Sequence, residues 1–329
     1  MEKKVRRFRV ASHMVAVSSQ RGGSTIEPAH VVGATVIDGS VRDPGDVDIT
    51  IENGRITQLG TSSAHGERLD AEGLTMTPGL IDAHVRLGQS SPNQPHFSLQ
   101  ISAAEIAADI FATVGAALDA DFTTVRDTGG IDGGVVTAIA KGKVRGPRVL
   151  SCGPVQCQIG GHGCYEADSV VAGNADELRH NVREAFRRGA SFLQLEQLLY
   201  DTAGAGLAES ARDRAKGARE QMTESLAVAK QAGVGIGLGS DLVGPVQERR
   251  GRQLSLRAAL ETPMEALVAA TRTNAEILGL SGQVGVIAPG AQADLVLWNG
   301  SPLEDPELFS DPAKAVLVIR AGQIVKDLR

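Results

Sequence analysis

Chemistry that needs an imidazole has few places to sit in this chain. Its 329 residues include seven histidines: His13, His30, His65, His84, His96, His162 and His180. His84 lies at the end of a β-like apolar run, and in an extended strand positions two apart share a face. Residue 86 therefore looks where His84 looks. A neutral imidazole at position 84 carries a lone pair that can hold a divalent ion. Residue 86 is Arg86, which stays protonated, has no lone pair to donate and repels a divalent cation. A second cluster, Cys157, His162 and Cys164 with Cys152 nearby, also has metal-binding atoms. It contains no Cys-x-x-Cys knuckle and fits no familiar zinc module, so the cysteines read as structural or incidental.

The elements that must position His84 follow from patterning. Residues 31–37, 48–51 and 55–59 alternate as strands, the last two joined by Asn53-Gly54, a pair that tolerates the positive φ of a tight hairpin. Residues 293–298 and 315–319 read as strands too, the second followed by an Ala321-Gly322-Gln323 turn. Strand sets at both ends suggest one small β-domain from residues 29–75 and 285–329. Between them, apolar runs at 74–85, 122–126, 148–150, 192–195 and 234–239 alternate with helical segments, the signature of βα units and a parallel sheet. Asn174 with Glu177, and Thr262-Pro263-Met264-Glu265, have the spacing of helix caps.

Composition narrows the function classes. With 33 Lys and Arg against 39 Asp and Glu, a formal charge of −6 offers no general attraction for nucleic acid or an anionic membrane. No apolar run is long enough to span a bilayer. Three cysteines packed into one stretch are not a disulfide framework and fit a reducing cytosol. A basic N-terminal extension over residues 1–28 reads as disordered tail rather than an export signal. Small-molecule chemistry is the default.

The stretch Thr77-Pro78-Gly79-Leu80-Ile81-Asp82-Ala83-His84 resembles the first barrel strand of the amidohydrolase superfamily. Phe122-Thr123-Thr124-Val125-Arg126-Asp127 with Gly129-Gly130, Gly146-Pro147-Arg148-Val149 and Gly160-Gly161-His162-Gly163 are similar to its imidazolonepropionase-like and Xaa-Pro dipeptidase-like branch. Arg188-Gly189-Ala190-Ser191-Phe192 resembles the approach to strand four. Gly239-Ser240-Asp241 resembles strand eight, and Ile287-Ala288-Pro289-Gly290 the return into a small β-domain.

The resemblance implies an α/β fold, a (β/α) barrel over residues 76–284 beside a β-sandwich formed by both termini, with the site at the carboxyl ends of the strands. It implies a divalent metal, zinc above all, activating water to hydrolyse an amide, cyclic amide or dipeptide-like bond. His84 and Asp241 would be metal ligands, Asp241 also the general base, and His162 would face the substrate. Arg86 and Gln194 stand where further ligands are expected; Glu196, two residues on, could partly substitute for Gln194. Between residues 197 and 223 no strand pattern is found, although the three units due there need roughly 90 residues. The barrel is thus expected to be incomplete, with about five strands. Its open edges would favour pairing with another copy of the chain. The rival reading is a catalytically inactive, metal-free remnant.

Overall fold

The computed structural model describes residues 29–40, 42–60, 66–88, 102–129, 131–159, 169–191, 195–196, 226–242 and 247–329. The basic extension, His162, Cys164, Gln194 and the gap at 197–223 lie outside the described residues.

The N-terminal strands are β1 (Ala29–Val32), β2 (Thr35–Val36), β3 (Gly45–Asp46), β4 (Ile49–Glu52), β5 (Arg55–Leu59), β6 (Glu67–Asp70) and β7 (Thr75–Pro78). The run at 31–37 is two strands, because Gly33 at φ 80° turns the chain from one sheet into another. The β4–β5 hairpin is the one expected, with Asn53 at φ 50° and Gly54 at φ 74°.

The run at 74–85 also divides. After β7, Gly79 passes the chain on into β8 (Leu80–Val85), and a Cβ at Gly79 would lie 2.1 Å from Thr123 Oγ1. Beyond β8 come β9 (Phe122–Asp127) and β10 (Arg148–Ser151), parallel and in the order β10-β9-β8. Helices Ala103–Asp119 and Gly133–Ala140 connect them, which is the βα alternation read from the sequence. A further parallel sheet joins β11 (Val155–Gln158), β12 (Ser169–Ala172) and β13 (Leu195–Glu196) in the order β12-β11-β13. Asn174 caps helix Ala175–Arg187 by accepting from the amides of Asp176 and Glu177, and Gly189 at φ 99° follows its end.

The chain closes with β14 (Leu295–Trp298), β15 (Ala315–Arg320) and β16 (Gln323–Asp327). They extend one six-stranded sheet, β16-β15-β14-β7-β2-β3, in which β14 runs antiparallel to β7. The other N-terminal strands form β5-β4-β1-β6. Alternation in β14 sorts its side chains between two cores. Leu295 and Leu297 pack with Val31, Ile49, Ile51 and Ile56 of the four-stranded sheet, while Val296 and Trp298 pack with Leu80, Phe122 and Val125 of the parallel strands. Both faces of β14 are therefore buried. Trp298 donates to Thr77 Oγ1 at 3.0 Å and meets Phe309 edge-on at 5.6 Å, so its polar edge is satisfied although it is fully buried.

One expected strand has no ladder. Residues 234–241 run beside β8 in the same direction, but only two backbone bonds join them: Ala83 N–H to Leu238 O at 3.0 Å and Asp241 N–H to His84 O at 2.9 Å. The cause lies in Gly235, Gly237 and Gly239. A Cβ at Gly237 would fall 2.1 Å from Asn274 Oδ1, and one at Gly239 2.6 Å from His84 Cβ. The space a ladder needs is filled by the Asn274 side chain.

Candidate active site

His84 and Asp241, far apart in sequence, meet at the carboxyl end of β8. His84 Nε2 stands 3.3 Å from Asp241 Oδ1, and Arg86 Nε donates to that same oxygen at 2.9 Å. The shared face of residues 84 and 86 is thus borne out by a common partner. Asp241 is 60% exposed, His84 34% and Arg86 17%, so the carboxylate faces solvent while the guanidinium is mostly covered. The hydrogen bond from His84 holds the Asp241 carboxyl below the ordinary carboxylate range; partial burial opposes this, and the Arg86 hydrogen bond and charge add to it. Asp241 also has φ 47°, a left-handed backbone that a non-glycine residue keeps only when its surroundings impose it.

Those surroundings are a buried polar network that pattern reading missed. Asp82, two residues before His84 on the same strand, accepts from His84 N at 3.2 Å and Ser240 N at 3.0 Å through Oδ1. Its Oδ2 accepts from Arg250 Nη1 at 2.7 Å and Gln253 Nε2 at 3.3 Å. Asp82 and Arg250 are both fully buried. Arg250 donates further to Ser240 Oγ at 2.8 Å and to Gln247 Oε1, with its guanidinium 6.0 Å from the centre of the Phe122 ring.

Asn274 completes the frame. The helix that begins at the Thr262 capping box runs over Pro263–Val268, widens into a π turn at Ala269–Thr273 and ends at Asn274–Ile277. Thr271 Oγ1 turns back to Leu267 O at 2.6 Å within it. The π turn delivers the buried Asn274 amide between the two chains, where it accepts from Leu238 N at 3.0 Å and donates to Ile81 O at 2.7 Å and Leu238 O at 2.8 Å. The run at 80–86 carried a faint signal for Asp82, since it shares the face of His84. Nothing local marked Asn274 or Arg250.

Neither described cysteine is brought into this centre. Cys152 and Cys157 are buried thiols beside and within the parallel strands, and Glu196 lies in β13. His162 and Gln194 fall outside the described residues.

A divalent metal does not fit what is described. Two ligands of one tetrahedral zinc, each about 2.1 Å from the ion, stand roughly 3.4 Å apart, and the His84–Asp241 separation of 3.3 Å matches that. The cation's place is taken, however, because the Arg86 guanidinium already neutralises the carboxylate oxygen the ion would need. Among the described residues no group of three His, Cys, Asp or Glu side chains converges as a metal site. What remains is an imidazole oriented by a carboxylate, able to move a proton, beside a covered cation.

The amidohydrolase family pattern matches residues 201–325. Over 113 residues the chain is 38% identical to the imidazolonepropionase of Ralstonia nicotianae, a stretch making up 33% of this chain and 26% of that protein. The match thus spans only a minor part of that relative's length. Among solved structures, a prolidase complexed with N-methylphosphonate-L-proline superposes with a TM-score of 0.82 at 24% identity, covering 91% of this chain and 99% of the other. A Xaa-Pro dipeptidase with bound methionine gives 0.76 at 19% identity, covering 91% and 100%. At these identities the two solved structures speak for the fold.

Proposed function

We infer that this chain is a member of the amidohydrolase superfamily, in its imidazolonepropionase-like and Xaa-Pro dipeptidase-like branch, and a metal-free derivative of a carbon–nitrogen hydrolase. Its ligand is a small amide, cyclic amide or dipeptide-like molecule, and the step that requires metal-activated water has been lost. The observation that carries this reading is the Arg86 guanidinium seated on Asp241 Oδ1. The kinship supports the ligand class, and the exposed Asp241 carboxylate next to His84 suits an amide or ammonium N–H as donor.

The same reading covers the architecture. The parallel strands β8 to β13 are consistent with the first half of a (β/α) barrel over residues 76–284, and the ladder-less run at 234–239 with its last strand. Residues 29–75 and 285–329 supply the two sheets of a β-sandwich. The stretch 197–223 is too short for the missing units, whose ligands would have completed a metal site. Kinship and the 3.3 Å ligand-like spacing of His84 and Asp241 favour a second reading, a metal-dependent hydrolase of the same bonds.

Elemental analysis of the purified protein, together with hydrolysis assays on N-acyl amino acids, cyclic amides and dipeptides, separates the two. The expected result is substoichiometric metal and no turnover, with the same compounds still raising the melting temperature. Stoichiometric zinc accompanied by turnover would establish the second reading instead.

A further inference from the structure

The centre is held by side chains where a barrel strand would be held by its neighbours, and this assigns roles to residues that touch none of the reacting groups. Backbone pairing between β8 and residues 236–241 amounts to two hydrogen bonds. Two buried side-chain systems make up the difference, one on each side of Gly239. On one side, the Asn274 amide ties both the N–H and the C=O of Leu238 to Ile81 O across the gap. On the other, the Asp82–Arg250 pair grips Ser240 through its N–H and its hydroxyl, while Asp82 also takes the N–H of His84. Asp241 follows directly, with its left-handed φ of 47° and its amide on His84 O.

We propose that Asn274 and the Asp82–Arg250 pair are positioning residues: two independent clamps that hold the Asp241 backbone in its strained conformation and so keep its carboxylate on His84 and Arg86. The proposal takes from the preceding section only that these three residues form the centre. It holds whether the centre binds, hydrolyses or does neither.

The arrangement makes separable demands. Asn274→Ala removes the acceptor for Leu238 N–H and the donors to Ile81 O and Leu238 O, and of these Leu238 O keeps the Ala83 N–H while Leu238 N–H loses its partner in a closed space. Arg250→Lys keeps the charge but cannot reach Asp82, Ser240 and Gln247 together, since an ammonium lacks the planar fork. Each change releases one side of Gly239. The Asp241 backbone then relaxes out of the left-handed region, which stays costly for an aspartate even though aspartate tolerates it better than most residues.

The experiment uses the full chain. Hydrogen exchange by mass spectrometry reads the peptide covering residues 236–242 against peptides of β14 and β15, and the Arg86 Nε–H resonance is followed in ¹⁵N-arginine-labelled protein. Val318→Ala, a buried truncation in β15, serves as the control for general loss of stability. In Asn274→Ala and Arg250→Lys we expect exchange of the 236–242 peptide to accelerate at least tenfold more than that of β14 and β15, with the Arg86 Nε–H signal lost or broadened. Val318→Ala should speed all peptides alike and leave that signal in place. Should Asn274→Ala fail to fold, Asn274→Asp retains the acceptor for Leu238 N–H but not the donors, and the same local acceleration is expected to a lesser degree. Uniform acceleration in the clamp variants, or an Arg86 signal unchanged beside a deprotected 236–242, would overturn the proposal. Neither result depends on metal content or turnover, so the outcome is distinct from that of the assay above.

Discussion

Arg86→His tests the central claim about the site, that a guanidinium has replaced a metal ion. The change withdraws a cation from Asp241 and places a third donor on the face of β8 that carries His84. Positions two apart on a strand lie about 6.6 Å from one another, a span that two imidazoles close when their nitrogens converge on one ion 2.0–2.1 Å away, as in typical zinc sites. His84 Nε2 and Asp241 Oδ1, 3.3 Å apart, are already spaced as two ligands of that ion. A three-donor site formed without rearrangement, binding zinc at a Kd of about 1 μM, is worth roughly 8 kcal/mol. At about 100 μM zinc it stabilises the fold by ~2.7 kcal/mol through mass action. For a domain of this size that shifts Tm upward by roughly 5 °C. The assay is scanning calorimetry with and without zinc, with the visible spectrum of the cobalt-substituted variant reporting coordination geometry. The parent chain should show no shift. An equal zinc-dependent shift in the parent would refute the idea that Arg86 excludes the ion, and a flat response in Arg86→His would refute the inferred convergence of the three side chains.

Other expectations follow from the same contacts. Arg250→Met leaves the fully buried Asp82 carboxylate without its counter-ion and should cost about 3–5 kcal/mol in urea denaturation, whereas Asp82→Leu combined with Arg250→Met should recover most of that loss. Gly239→Ala drives a Cβ to 2.6 Å from His84 Cβ; a loss of about 1–3 kcal/mol is expected, and a crystal structure should show His84 displaced from Asp241. Burial pushes the carboxyl of Asp121, at the turn before β9, up to about 7, although Lys326 Nζ at 2.8 Å works against the shift. The unfolded chain releases that proton near pH 4 and the folded chain near pH 7, so the group's contribution is complete below pH 4 and is lost as pH rises towards 7, by up to roughly 4 kcal/mol. Asp121→Asn should flatten that part of the stability profile; an unchanged slope would refute the assignment.

Local rules reached as far as neighbouring residues could impose them. The Asn53-Gly54 hairpin, the Thr262 capping box and the common face of residues 84 and 86 each depend on a few adjacent positions, and each appears as read. The apolar run at 74–85 hid a boundary, because Gly79 is there to admit Thr123 from another strand, and nothing within the run announces it. Similarly, 234–239 has the composition of a strand, yet its alternating glycines make room for an amide contributed from Asn274. Asn274 and Arg250 were illegible for the same reason. Their roles exist only once distant segments are side by side.

The pairing of β14 with β7 joins residues 295–298 to residues 75–78. A chain emerging from the ribosome therefore leaves β7 without its antiparallel neighbour until residues 295–298 have been made. The early strands have to wait for the last ones, a long-range closure that slows folding and lengthens the period in which a sticky edge is on offer. Chaperone demand during synthesis is thus written into the topology of a sheet whose neighbouring strands lie more than two hundred residues apart.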